Sequence, residues 1–254
     1  MRLLISPPGD AFTNMALDEA LARTSDALPT FRVYYWNSPS LSLGYFQKSA
    51  EVLNSLACRG TLQRAPTVVR RPTGGTAVLH DSQPSFSLVL RTPAKVIQIY
   101  HLLGLVMIEA LKTLGIDAKL WVEAAGVKSS RVQRLKGSMV QEFPFCTSNL
   151  SPYDVILQGR VASVPSLRSR AGSGGPIKVA GYSARRFQGV TLFQGYLHFP
   201  KPVVPGQLIE AMIMGMEKIT EARLMEGNLT EAETVLTWEL RQNKYLQQDW
   251  NYKR

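Results

Sequence analysis

The sequence predicts an α+β fold. Three observations carry that reading. Strand-like and helix-like segments alternate irregularly, several strands are joined by hairpin turns, and one long amphipathic helix interrupts them near the middle of the chain. A doubly wound sheet would need regular strand–helix–strand units instead. The chain has 254 residues and is 45% hydrophobic, enough for one large core.

Asn14 to Ala27 reads as the first helix, with Met15, Leu17, Ala20 and Leu21 as its apolar face. Asp18-Glu19 sit near its expected start, where acids suit the helix dipole. Phe31 to Trp36 and Ser40 to Gly44 read as strands joined by an Asn37-Ser38-Pro39 turn. Lys48 to Leu56 is a short helix. Thr67 to Arg70, Thr76 to Leu79 and Ser85 to Leu90 follow as three strands. Val96 to Leu114 is the most periodic segment. Its stripe of Val96, Ile99, Leu103, Val106, Met107, Ala110, Leu111 and Leu114 faces a core, and Gly115 closes it. Ala118 to Val122, Asp154 to Leu157, Ile177 to Ala180 and Thr191 to Phe199 are further strands. Val204 to Ile219 is helical. Thr230-Glu231-Ala232-Glu233 has the form of a capping box and opens a last helix through Leu240 to about Gln247. Between Arg160 and Ile177 lies a stretch rich in Ser, Gly and Arg with no period, read as a mobile insertion at about 161–176.

No run approaches the length of a membrane-spanning segment. The N-terminal Met1 to Pro8 does not have the form of a secretory signal. With two cysteines, Cys58 and Cys146, the expectation is reduced thiols and a cytoplasmic protein. The net charge of +10 points to an acidic partner. The basic residues are scattered, with neither zinc-finger spacing nor an RNP-type motif, so an acidic protein is favoured over nucleic acid.

The segment Arg70-Arg71-Pro72-Thr73-Gly74-Gly75-Thr76-Ala77-Val78-Leu79-His80-Asp81 carries the most chemistry. Paired glycines let a backbone approach a ligand closely, and arginines beside them can grip a carboxylate or phosphate. His80 ends the strand that begins at this turn. No second His or Cys stands at ligand spacing, so no metal is expected. Cys146 lies in a loop bounded by Pro144 and Pro152. As a nucleophile it would need a nearby cation. Lys178 alternates with Ile177 and Val179 on a strand and is followed by Gly181 and Ser183. A lysine there can polarise a carbonyl oxygen or supply the cation for Cys146. Cys58 is given no role.

Together these segments resemble the biotin/lipoate A/B protein ligase superfamily. Arg70 to Asp81 looks like its Arg-Arg-x-(Ser/Thr)-Gly-Gly-Gly-x-Val-x-His-Asp signature. Asn14 to Leu21, Tyr35 to Gln47, and Lys178 to Ala184 match three further segments in family order. The resemblance implies a mixed, largely antiparallel sheet flanked by helices, related to class II aminoacyl-tRNA synthetase and biotin protein ligase cores. It implies one catalytic domain over 1–254 without the accessory C-terminal domain of larger ligases. Arg70, Arg71, Thr73, Gly74, Gly75, Thr76 and His80 would line the acyl site with Gly181 and Ser183, and Lys178 would contact the reacting carbonyl.

The resemblance also implies protein lipoylation: an octanoyl or lipoyl group joined to a lysine of an acidic lipoyl-domain protein, such as the glycine cleavage H protein or a 2-oxoacid dehydrogenase E2. The chain looks closest to the Gram-positive-type octanoyltransferases. These take octanoate from acyl carrier protein through a cysteine thioester, here on Cys146, and need no cofactor. The alternatives are a lipoate ligase using ATP and Mg through lipoyl-AMP, and a non-catalytic acyl- or carrier-binding homologue. Three features depart from the family pattern. Thr76 replaces the third glycine, a long insertion precedes Lys178, and Gln194-Gly195 stands where His-Gly is frequent. Because a β-branched residue resists positive φ, the expectation at Thr76 is a tighter or differently liganded loop.

Overall fold

Alternation along the strands sets the architecture. In β2 (Thr30–Tyr34), Phe31 and Val33 point to one face and Thr30, Arg32 and Tyr34 to the other, and all five are buried. A strand buried on both sides needs a covered sheet. The structure, a computed structural model, describes residues 1–24, 27–57, 66–81, 83–121, 150–157, 176–198 and 203–253. Cys58, Cys146, and the insertion apart from Pro176 lie outside the described residues.

The main sheet has eight strands in the order β11-β1-β2-β6-β10-β9-β8-β7. They are β1 (Arg2–Ile5), β2, β6 (Ser85–Leu90), β7 (Lys119–Leu120), β8 (Val155–Leu157), β9 (Ile177–Phe187), β10 (Val190–Leu197) and β11 (Met225–Glu226). The β11–β1 and β1–β2 joints are parallel and the rest antiparallel. A second sheet of three strands has the order β4-β3-β5, from β3 (Ser40–Leu43), β4 (Thr67–Arg70) and β5 (Val78–His80).

One expectation is corrected here. The Asn37-Ser38-Pro39 turn lies between two strands as expected, and it passes the chain from β2 in the main sheet to β3 in the small one. Asn14 Nδ2 pins the exit by donating to the Gly9 and Tyr35 carbonyls. The first helix, α1 (Ala11–Arg23), starts earlier than its apolar pattern indicates, at an Asp10 cap that accepts from the Phe12 and Thr13 amides. Asp18 and Glu19 are therefore mid-helix and fully buried. Ion pairs with Arg32 and Lys244 hold them there, not the helix dipole.

α3 (Val96–Thr113) and α4 (Pro205–Thr220) cover one face of the main sheet. The predicted stripe is the buried one: Ile99, Leu103, Val106, Met107, Ala110 and Leu111. Each fully buried aliphatic side chain stabilises by roughly 1.5–3 kcal/mol. α1 covers the other face and meets α5 (Glu231–Leu240). The capping box forms as expected, with Glu233 accepting from the Thr230 amide while its carboxylate also takes the Arg2 guanidinium. α2 (Ser49–Ala57) packs against the small sheet. Beyond α5 come a π-helical turn (Arg241–Tyr245) and α6 (Gln248–Asn251).

Candidate active site

A pocket with an empty volume of about 420 Å³, its open mouth included, lies where the small sheet meets β9 and β10. Met15, Tyr34, Trp36, Val78 and Tyr196 line it with carbon, and Gly75 and Gly181 bring backbone to its edge.

An irregularity in β9 aims the lysine. The β8–β9 register shifts between Val155 and Ile156, so that Val155 faces Ala180 while Ile156 faces Lys178. One extra residue in the strand changes which side chains share a face. Lys178 thereby lies on the same side as Gly181, and a Cβ at Gly181 would fall 2.5 Å from Lys178 Cε and 2.9 Å from its Nζ. Only glycine admits the ammonium here. Lys178 Nζ pairs with Asp154 Oδ2 at 2.6 Å, both side chains being buried. A turn sets Asp154 in place: the Ser151 amide donates to Asp154 Oδ2, and Tyr153 takes a left-handed φ of 68°. Burial pushes the Asp154 carboxyl above its ordinary range, and the pull of Lys178 and of the Ser151 amide does not bring it back.

The Thr-Gly-Gly-Thr loop folds around Arg71. Its Nη1 donates to the Ser42 carbonyl at 3.1 Å, and Nη2 donates to the Gly74 and Thr76 carbonyls at 2.5 and 2.9 Å. The left-handed residue is Gly75, at φ 82°. Thr76 does not take a positive φ, so its β-branched side chain is tolerated there.

His80 closes the far wall. Its ring stacks on Trp36 at 3.9 Å and 15°. Nε2 lies 2.8 Å from Ser42 Oγ, and Nδ1 lies 3.4 Å from Ser85 Oγ, which also accepts from Trp36 Nε1. Burial, then the charge of Arg71, holds the imidazole well below its usual pKa. The ring is neutral at physiological pH.

A buried chain of polar groups forms the floor. Asp18 accepts from Arg32 Nη1 (2.7 Å), Ser87 Oγ (2.7 Å), Tyr34 OH (2.9 Å) and Gln194 Nε2 (2.7 Å). Gln194 Oε1 accepts from Thr73 Oγ1 at 2.7 Å, and Thr73 Oγ1 lies 2.8 Å from Ser183 Oγ at the pocket wall.

The structure thus brings Arg71, Gly75, His80, Gly181 and Ser183 to one pocket, with Lys178 against Gly181 and Thr73 behind Ser183. Gly74 and Thr76 serve through the carbonyls that hold Arg71. Arg70 is corrected. Its guanidinium donates to the carbonyls of Gly44, Tyr45, Gln47, Trp250, Asn251 and Lys253. It clamps the C-terminal tail to the small sheet and is not among the pocket-lining residues. Sequence reasoning missed Asp18, Gln194, Trp36, Ser42 and Asp154. A signal existed for two of them: Asp18 interrupts the apolar face of α1, and Gln194 interrupts the apolar run of β10.

A family model, the lipoyl protein ligase A/B catalytic domain, matches residues 10–203. The chain is 29% identical over 300 residues to the octanoyltransferase LipM of Kyrpidia tusciae, covering 100% of this chain and 98% of that protein. It is 26% identical over 298 residues to the LipM of Brevibacillus brevis, covering 100% and 99%. Among solved structures, it resembles a lipoate-protein ligase A bound with ATP, with a TM-score of 0.70, 21% identity and coverage of 99% and 98%. It also resembles a putative lipoate protein ligase from T. acidophilum with bound lipoic acid, with a TM-score of 0.72, 20% identity and coverage of 100% and 98%. These two likenesses establish the fold, including the mixed sheet flanked by helices.

Proposed function

The chain belongs to the lipoyl protein ligase A/B catalytic-domain family, and we propose that within it the protein moves an octanoyl group, through a thioester on Cys146, to a lysine of a lipoyl domain. One observation carries the reading: an apolar pocket whose edge is glycine backbone, with a buried lysine packed directly against that backbone. The carbon-lined walls take the acyl chain. The Lys178 ammonium, held in low dielectric, stabilises the negative charge that develops on the thioester carbonyl oxygen. It also lowers the pKa of a thiol brought beside it.

Relatives support the octanoyl group and the lipoyl-domain acceptor. The full-length relatives are octanoyltransferases. A bipartite lipoate protein ligase from Thermoplasma acidophilum, with a TM-score of 0.68, has an E2 lipoyl domain described with it. An acidic lipoyl-domain partner fits the net charge of +10. An acyl carrier protein is the proposed donor, and the cytoplasm, where thiols stay reduced, the proposed setting.

The test is intact-mass measurement after incubation with octanoyl-acyl carrier protein. The expected result is one octanoyl adduct that is absent from Cys146→Ala. No adduct, or an equal adduct on Cys146→Ala, overturns the thioester. Release of pyrophosphate dependent on lipoate and ATP, kept in Cys146→Ala, would establish the ligase chemistry in its place.

A further inference from the structure

The direction of the hydrogen bonds in the pocket floor fixes what Ser183 offers to a ligand. Asp18 is paired with Arg32 and takes four donors. The Gln194 atom facing a carboxylate must be the amide nitrogen, so the side-chain orientation is dictated. Its other N–H points at Met15 Sδ, 3.5 Å away. Gln194 Oε1 therefore faces Thr73, and the single Thr73 hydroxyl proton is spent on it. The remaining contact of Thr73 Oγ1, at 2.8 Å, must then be donated by Ser183. With its proton committed inward, Ser183 Oγ presents only lone pairs to the pocket.

We infer that Ser183 is an amine-orienting residue: it accepts an N–H of the acceptor lysine and aims its lone pair at the acyl carbonyl. This rests on the acyl-transfer reading and adds the group that receives the nucleophile. An acceptor-only hydroxyl repels a carbonyl or carboxylate oxygen. Of the proposed reactants at the reacting centre, the acyl thioester carries no N–H or O–H, whereas the neutral amine carries two N–H bonds. In the transfer step, the amine nitrogen forms a C–N bond to the carbonyl carbon, the C–S bond to Cys146 breaks, and the proton lost from nitrogen ends on the sulfur. Ser183 holds the second N–H throughout and exchanges no proton. Gln194 and Thr73 are positioning residues that set the polarity of Ser183 from behind.

The experiment separates the two half-reactions. Enzyme is acylated with octanoyl-acyl carrier protein, the acyl-enzyme is isolated, and a lipoyl domain is added in a single turnover. Ser183→Ala is expected to slow transfer by about tenfold more than it slows acylation, the equivalent of one hydrogen bond. Thr73→Val returns the Ser183 proton to the pocket and is expected to show the same selective loss with Ser183 intact. Thr73→Ser, which keeps the relay, is expected to restore transfer. Equal losses in both half-reactions, or none in either, overturn the inference. If the wild-type protein carries no adduct, the thioester reading fails by itself. The same variants are then compared in lipoyl transfer with lipoate and ATP, where the last step is again attack by that lysine. Equal product from all variants, or no transfer from either donor, overturns the role of Ser183 there too.

Discussion

Glu19 and Asp154 are both buried carboxylates, and each is met by a lysine Nζ at 2.6 Å. Their protonation responds in opposite directions. At Glu19, burial pushes the carboxyl up, but the Lys244 charge and hydrogen bond, with help from the Tyr245 hydroxyl and Arg23, carry it below its ordinary range. At Asp154, burial wins over Lys178 and the Ser151 amide, and the carboxyl stays high. Distance to the cation does not decide the sign; the number of donors that replace water does. The joint between α1 and the C-terminal helices is saturated. The site next to the pocket is under-compensated, and perturbed groups of that kind gather at functional sites. The same poor solvation strengthens the field that Lys178 places on a reacting carbonyl.

The largest expected effect breaks the comparison on the saturated side. Glu19→Ala leaves the ammonium of Lys244 and the hydroxyl of Tyr245 without their shared acceptor. It should cost about 3–5 kcal/mol of stability, read from urea unfolding, while the folded fraction keeps its transfer rate. On the other side, Lys178→Met should lower transfer by about 10²–10³-fold, with a smaller loss of stability than Glu19→Ala. An Asp154 carboxyl that is already hard to ionise can take a proton when its lysine is removed. Equal stability losses for the two variants would erase the distinction between joint and site.

The two regions also differed in how legible they were. The Thr-Gly-Gly-Thr turn, His80 and Lys178 could be read because glycine pairs and a charge between β-formers are local signals. The α3 stripe and the Thr230–Glu233 box were readable for the same reason. What local sequence did not show depends on partners far along the chain. Asp18 and Glu19 looked like dipole-favouring acids because nothing nearby reveals Arg32 or Lys244. Arg70 looked like a ligand arginine because its acceptors at Trp250, Asn251 and Lys253 arrive about 180 positions later. The Lys178 orientation turns on a register shift in β9, which strict alternation cannot anticipate. Cys146 remains a reading from its sequence context and the family resemblance.

Acid titration sharpens the contrast. The Glu19 pKa is lower folded than unfolded, so its stabilisation is complete above about pH 4.5 and is lost as pH falls through the folded value. The Asp154 pKa is higher folded, so the native state binds the extra proton. That contribution is complete below about pH 3.8 and is lost as pH rises through the folded value. Glu19→Gln should therefore flatten the acid limb of stability against pH, and Asp154→Asn should steepen it. Each changes the slope by at most about 1.4 kcal/mol per pH unit, the value for one proton. Slopes that move in the same direction would show that the two carboxylates respond alike.

The smallest effect belongs to a pair with similar chemistry and no burial. Lys48 Nζ and Glu51 Oε1 are 3.0 Å apart at the start of α2, with both side chains 67% exposed. Water solvates both ions whether or not they touch, and holding two long side chains together costs rotamer entropy. Lys48→Ala should change stability by no more than about 0.5 kcal/mol, and salt should abolish even that. A loss approaching that of Glu19→Ala would mean that proximity alone sets the strength of these pairs. A null result assigns the difference between this exposed pair and the two buried ones to desolvation, the one condition that Glu19 and Asp154 share and Glu51 lacks.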